Sequence, residues 1–259
     1  MIKAAGILLG VSQAITCLAD SVRHHVRIEG HGRPTVVFES GLGDTLDAWQ
    51  SVQASIAANC ARTISYNRAG YAGSSPMRGV RDARTIVAEL REELRRRNIP
   101  PPYVLVGHSL GGLYMQYFAR RYPDEVTGLL LVDSTHWNQQ LPRTSPARDS
   151  DAQYGQVVVF MSFIARRELA DSALAGEQVH SSPLAKHVPT IVLSSTGALL
   201  GETPATRVSA ARLQEDLVAD FPGARQLRVD RSGHYIQKDR PDIVIDAVRE
   251  LAHCRAQAD

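Results

Sequence analysis

The chain has 259 residues, 44% of them hydrophobic and 22% charged, with a net charge of +2. That composition belongs to an ordinary globular protein, and the length suits one large α/β domain without a second domain on a linker. So small a charge excludes a general attraction to nucleic acid. The basic cluster of Arg91 and Arg95-Arg96-Arg97 ends a predicted helix, where cations complement the helix dipole.

The N-terminus carries one cation, Lys3, then a mostly apolar run from Ala4 to Ile15 and small residues around Cys17-Leu18-Ala19. This resembles a secretory signal peptide over residues 1–19, cleaved before Asp20. The run is too short to span a bilayer, so no stable membrane anchor is expected. The expectation is an exported protein, periplasmic or secreted. The alternative is a helical extension on a cytoplasmic one. Without the leader, Cys60 and Cys254 are the remaining cysteines. In an exported chain such a pair suits a disulfide, and two unpaired thiols are the competing reading.

From His24 onward, short apolar runs alternate with helical periodicity. Strands are predicted at His24–Glu29 and Thr35–Glu39, then a helix over Asp47–Ala58 with Trp49, Val52 and Ile56 on one face. Arg62–Tyr66 reads as a strand, followed by the glycine-punctuated loop Asn67 to Pro76. Asp82–Arg97 is a strong helix, stopped by Asn98-Ile99-Pro100-Pro101-Pro102. Further strands follow at Val126–Val132, Thr190–Leu193 and Arg225–Val229, with helices at Arg207–Phe221 and Asp242–His253. This alternation predicts a mostly parallel sheet with helices on both faces. Residues from about 138 to 187 break it, with strand rhythm only from Gln156 to Ile164. An insertion of that length is expected to be a helical lid.

Val104-Leu105-Val106 runs straight into Gly107-His108-Ser109-Leu110-Gly111, and a helical pattern follows to Arg121. Gly-x-Ser-x-Gly in a strand–turn–helix setting is a nucleophile elbow. The tight turn needs small residues at its glycines. It also holds the Ser109 hydroxyl over a helix N-terminus, where free N–H groups favour negative charge.

Three further motifs accompany the elbow. They are Glu39-Ser40-Gly41-Leu42-Gly43, Asn67-Arg68-Ala69-Gly70-Tyr71, and Ser232-Gly233-His234 followed by Asp239-Arg240-Pro241. With these four motifs in this order, the chain resembles an α/β-hydrolase-fold serine hydrolase of the esterase/lipase kind from about His24 to Ala252. The resemblance implies an oxyanion loop in the first motif and the catalytic-histidine turn in the last. The second departs from the family's Asp-Arg-x-Gly-Tyr-Gly, having Asn67 where Asp is usual.

A serine hydroxyl needs a base to take its proton. His234 has the motif context and chain order for that role. His108 adjoins the nucleophile and is expected to pack or hydrogen-bond nearby. The acid stays open between two residues. Relatives often place it after the seventh strand, near Ala198 here, but no carboxylate occurs before Glu202. Asp133, at the end of Leu129-Leu130-Leu131-Val132, occupies the family's other position and is preferred. The expected oxyanion donors are the backbone N–H groups of Leu42 and Leu110, and a proline at position 42 would delete the first.

His108, His136, Trp137, Phe160 and Met161 are the candidate pocket residues. No metal-ligand spacing and no phosphate-cradling motif is present, so neither metal nor cofactor is expected. The expected reaction is hydrolysis of a small-molecule carboxylic ester through an acyl-enzyme on Ser109. The same triad would serve a lactonase, an amidase or an acyltransferase/perhydrolase. Dehalogenase and epoxide hydrolase chemistry is disfavoured, because those relatives place aspartate where Ser109 stands. A non-catalytic binding protein on this fold is the reading from another class, and the missing carboxylate near Ala198 is its one support.

Overall fold

The computed structural model describes residues 22–139, 161–184, 186–197 and 204–254. The expected leader over residues 1–19 therefore lies outside the described residues. The strands are β1 (Val26–Glu29), β2 (Thr35–Glu39), β3 (Arg62–Tyr66), β4 (Tyr103–His108), β5 (Val126–Val132), β6 (Thr190–Ser195) and β7 (Arg225–Val229). They form one seven-stranded sheet in the order β1-β3-β2-β4-β5-β6-β7. Only the β1–β3 pairing is antiparallel.

Parallel neighbours need crossover helices, and those helices cover both faces of the sheet. Alternate side chains therefore feed two cores. Val37, Leu105, Leu129 and Leu131 pack on one face, against α2 (Ala83–Arg96) and α3 (Leu110–Arg121). Val36, Phe38, Val106, Leu130 and Val132 pack on the other, against α1 (Gln50–Asn59) and the closing helix. The predicted basic cluster at the end of α2 is paired: Arg91 with Glu125, Arg95 with Glu92, and both Arg96 and Arg97 with Glu93.

The insertion departs from expectation. Phe163–His180 is helix α4, so the strand rhythm carried to Ile164 does not survive there. The Ser162 hydroxyl caps this helix, accepting the Ala165 N–H at 3.2 Å. Ala165, Leu169, Ser172, Ala175 and Val179 recur at three- and four-residue spacing and are buried. They seat α4 on α2 and α3. Both ends fit closely. A Cβ at Gly70 would come within 2.7 Å of Ile164, and one at Gly176 within 2.3 Å of the Trp137 carbonyl oxygen.

The chain continues through α5 (Pro204–Ala219), the short α6 (Ile236–Asp239) and α7 (Pro241–Leu251). Cys60 and Cys254, the pair left open by sequence, are disulfide-bonded with their Cα atoms 5.4 Å apart. The bond ties the end of α1 to the residues after α7.

Candidate active site

β4 ends at His108 and α3 begins at Leu110. Ser109 between them has φ 52°, a left-handed backbone uncommon for a residue with a side chain. Three hydrogen bonds hold it there. The Ser109 N–H donates to the Val132 carbonyl at 3.1 Å, and its carbonyl accepts from the N–H groups of Gly112 (2.9 Å) and Thr135 (3.0 Å). The turn leaves no room for side chains at Gly107 and Gly111. A Cβ at Gly107 would lie 2.6 Å from the Gly112 Cα, and one at Gly111 would lie 2.4 Å from the Ser40 carbonyl oxygen.

Asp133 follows β5 with φ 43°, and His234 follows β7. The two meet past the end of β6, the strand between β5 and β7, 101 residues apart in sequence, with His234 Nδ1 donating to Asp133 Oδ2 at 2.7 Å. The same carboxylate accepts the Ser195 N–H at Oδ1 (3.0 Å) and the Ser195 hydroxyl at Oδ2 (3.1 Å). An ionised carboxylate only accepts. The proton on His234 is thereby assigned to Nδ1, leaving Nε2 with the free lone pair. Ser195 is a residue the sequence did not single out. It lies at the end of β6, in the segment where relatives often carry the acid, and here it holds an acid supplied from β5. Glu202, the competing acid, lies outside the described residues.

The loop after β2 is built around Leu42. Its neighbours' N–H groups are engaged: Gly43 donates to the Tyr71 hydroxyl at 3.1 Å and Asp44 to the Gly41 carbonyl at 3.3 Å. Behind the loop lies a buried ionic cluster, also missed in sequence. The Arg68 guanidinium donates to Glu39 (2.6 Å), to the carbonyls of Ser40 (2.7 Å) and Gly41 (2.8 Å), and by two parallel bonds of 2.7 Å to Glu168 of α4. Tyr66 donates to Glu39, and Tyr71 donates to Glu168 at 2.7 Å. Burial pushes the Glu39 carboxyl above the usual range against the pull of Arg68, and pushes the Tyr71 hydroxyl up to about 12. Arg68 and Tyr71 stood in a noted motif without a role. The sequence signal for Glu168 is a charge placed among the apolar positions of Phe163–His180.

Asn67 also explains its departure from the family pattern. Its carbonyl accepts the Leu46 N–H at 2.8 Å while its amide donates to the Ala72 carbonyl at 2.7 Å. An aspartate could not make the second bond.

His108 is buried against the rings of His234 and Tyr235, with centroids 4.6 and 4.9 Å away. Its Nε2 donates to the His234 backbone carbonyl at 2.9 Å. Burial, with the nearby His234 adding to it, lowers its pKa to about 3. His136 and Trp137 are turned toward the end of α5. The Trp137 indole donates to Asp220 at 2.7 Å and stacks on His180 at 4.0 Å, and His136 lies 3.3 Å from Asp220. These contacts give both residues a structural role. Met161 is partly buried just before the α4 cap, and Phe160 lies outside the described residues.

Residues 34–181 match the α/β-hydrolase fold family. The chain belongs to that family. Among curated proteins, this α/β-hydrolase is 25% identical over 237 residues to the uncharacterized protein YqjL of Bacillus subtilis, covering 91% of this chain and 90% of that protein. It is 30% identical over 132 residues to the uncharacterized protein YbdG of the same organism, over 51% of this chain and 40% of that protein. The chain thus matches less than half of YbdG's length. Solved structures of similar fold include an esterase from Exiguobacterium antarcticum, with TM-score 0.70, 15% identity, and coverage of 91% of this chain and 97% of that one. The enol-lactonase from Burkholderia xenovorans LB400 has TM-score 0.62, 21% identity, and coverage of 90% and 97%. At such identities the likeness is one of fold. No helix among the described residues is long and apolar enough to cross a membrane.

Proposed function

We propose that this α/β-hydrolase cleaves small-molecule carboxylic esters through an acyl-enzyme on Ser109. The observation that carries the reading is the 2.7 Å bond from His234 Nδ1 to Asp133, on a carboxylate already held by Ser195. It leaves Nε2 unprotonated, as a general base requires.

In acylation, Nε2 takes the Ser109 proton as Oγ attacks the ester carbonyl. The tetrahedral oxyanion forms against the Leu42 and Leu110 N–H groups. Imidazolium, stabilised by Asp133, then protonates the leaving alcohol. Water repeats the sequence, with His234 as base, and releases the carboxylic acid. The binding-protein reading rested on the missing carboxylate near Ala198, and Asp133 supplies His234 with one from β5. The disulfide and the leader-like N-terminus support an exported enzyme, and the insertion over about 138–187 is the proposed lid.

Treatment with a fluorophosphonate and intact-mass analysis test the chemistry. A single adduct on Ser109, lost in His234→Ala, is expected, together with turnover of an ester and lactone panel. A folded protein that forms no adduct and turns over no ester or lactone overturns the reading. Turnover confined to lactones would reassign the substrate within the same mechanism.

A further inference from the structure

The residues flanking Leu42 are held by an arrangement that reaches into the insertion. Arg68 grips the Ser40 and Gly41 carbonyls, and Tyr71 grips the Gly43 N–H. Both gripping groups end on one carboxylate, Glu168, which lies 100 residues beyond Arg68 and is fully buried. Glu168 accepts two bonds from Arg68 and one from Tyr71, each 2.7 Å long.

Peptide geometry makes this grip directional. A trans peptide is planar, with its carbonyl and N–H pointing in opposite directions. The Gly41 carbonyl points at Arg68, so the Leu42 N–H of the same peptide points away from Arg68. Rotating that N–H means breaking the 2.8 Å bond from Arg68 to the Gly41 carbonyl. Moving Arg68 means breaking its paired bonds to Glu168, in surroundings without water to replace them.

We propose that Glu168, through Arg68 and Tyr71, is a positioning residue that aims the Leu42 N–H at the developing oxyanion. The insertion thereby contributes to the rate of the reaction through α4. This inference rests on the reading of Ser109 as the nucleophile. Glu168 touches no reacting atom. Its contribution enters through the direction of one N–H, which matters most when the carbonyl oxygen carries charge.

The test compares wild type with Glu168→Gln and Tyr71→Phe on p-nitrophenyl acetate. It adds inhibition by an aryl trifluoromethyl ketone, whose adduct carries an oxyanion. Glutamine keeps the shape but turns one acceptor into a donor facing the guanidinium. We expect kcat to fall about ten- to a hundredfold with KM within threefold, short of the roughly 10²–10³ that deletion of an oxyanion donor causes. Ketone affinity should fall by the same factor as kcat/KM. Because breaking a buried ion pair can unfold the protein, Tyr71→Phe supplies the milder variant. It releases the Gly43 N–H and leaves the Arg68–Glu168 pair intact, and a three- to tenfold fall in kcat is expected.

Unchanged kcat and ketone affinity in folded variants would overturn the proposal, as would a rise in KM alone. Amide hydrogen exchange across residues 40–46 gives a reading independent of turnover. Faster exchange in the variants is expected, and unchanged exchange counts against the proposal even if wild type proves inert to esters. Inertness of wild type, with Ser109 unlabelled, would instead be a failure of the proposed function.

Discussion

Replacing Asp133 by asparagine alters one atom, and the geometry says which way the amide must sit. Three donors converge on the carboxylate: the Ser195 N–H on Oδ1, and the Ser195 hydroxyl and His234 Nδ1 on Oδ2. The backbone N–H cannot reverse its polarity, so the amide oxygen is retained at the Oδ1 place. The NH₂ then falls at the Oδ2 place. The Ser195 hydroxyl can rotate to accept from it. His234 can accept only by turning its lone pair to Nδ1, which puts its proton on Nε2, and a protonated Nε2 cannot take the serine proton. The expected loss in kcat is about 10⁴-fold, or about 5 kcal/mol of transition-state stabilisation. Ser195→Ala removes one bond to a charged group and should lower kcat about tenfold. Steady-state kinetics on p-nitrophenyl acetate, with melting curves to show both variants folded, measures this. More than a tenth of wild-type kcat in Asp133→Asn would refute the argument. A 10⁴-fold loss in Glu202→Gln would transfer the acid's role to Glu202.

Other consequences are equally open to measurement. His108 is held neutral, with a pKa lowered to about 3 by burial and by nearby His234, whereas the unfolded chain binds the proton below about 6.5. Its contribution to stability is therefore complete above about 6.5 and declines by up to about 5 kcal/mol as pH falls toward 3. In His108→Gln the melting temperature should depend less on pH between 4 and 6.5, and an unaltered slope there would contradict this. The Cys60–Cys254 bond closes a separation of 194 residues, for which chain entropy gives at most about 5 kcal/mol. Reduction should lower the melting temperature by up to roughly 10 °C, and identical melts with and without reductant would exclude a stabilising role. Gly111→Ala should give no folded, active protein, because its Cβ would meet the backbone oxygens of Ser40 and Glu39 at 2.4 and 2.6 Å. Purification of a normal enzyme with that substitution would show that the elbow can give way.

Local signals carried much of the fold. Strands buried on both faces are short apolar runs, and α2 and α7 show their faces through three- and four-residue spacing, so their placement followed from sequence. The elbow was legible for a related reason: the steric demand that puts glycine at 107 and 111 acts within a few residues of Ser109. Helix α4 was less legible, because its buried face includes Glu168 and Gln178, polar groups whose partners lie far away in the chain, and Ser172, whose hydroxyl turns back onto the Leu169 carbonyl.

Tertiary structure decided what depends on residues distant in sequence. That Asp133 meets His234, that Ser195 at the end of β6 bonds the carboxylate supplied from β5, and that Cys60 reaches Cys254 all depend on how the elements are ordered around the sheet. The ionic cluster under the oxyanion loop belongs to the same class. Sequence displays Glu39, Arg68 and Glu168 as three separate charges, and only the packing of α4 on α2 and α3 brings Glu168 to Arg68, so that the buried guanidinium pairs with both carboxylates.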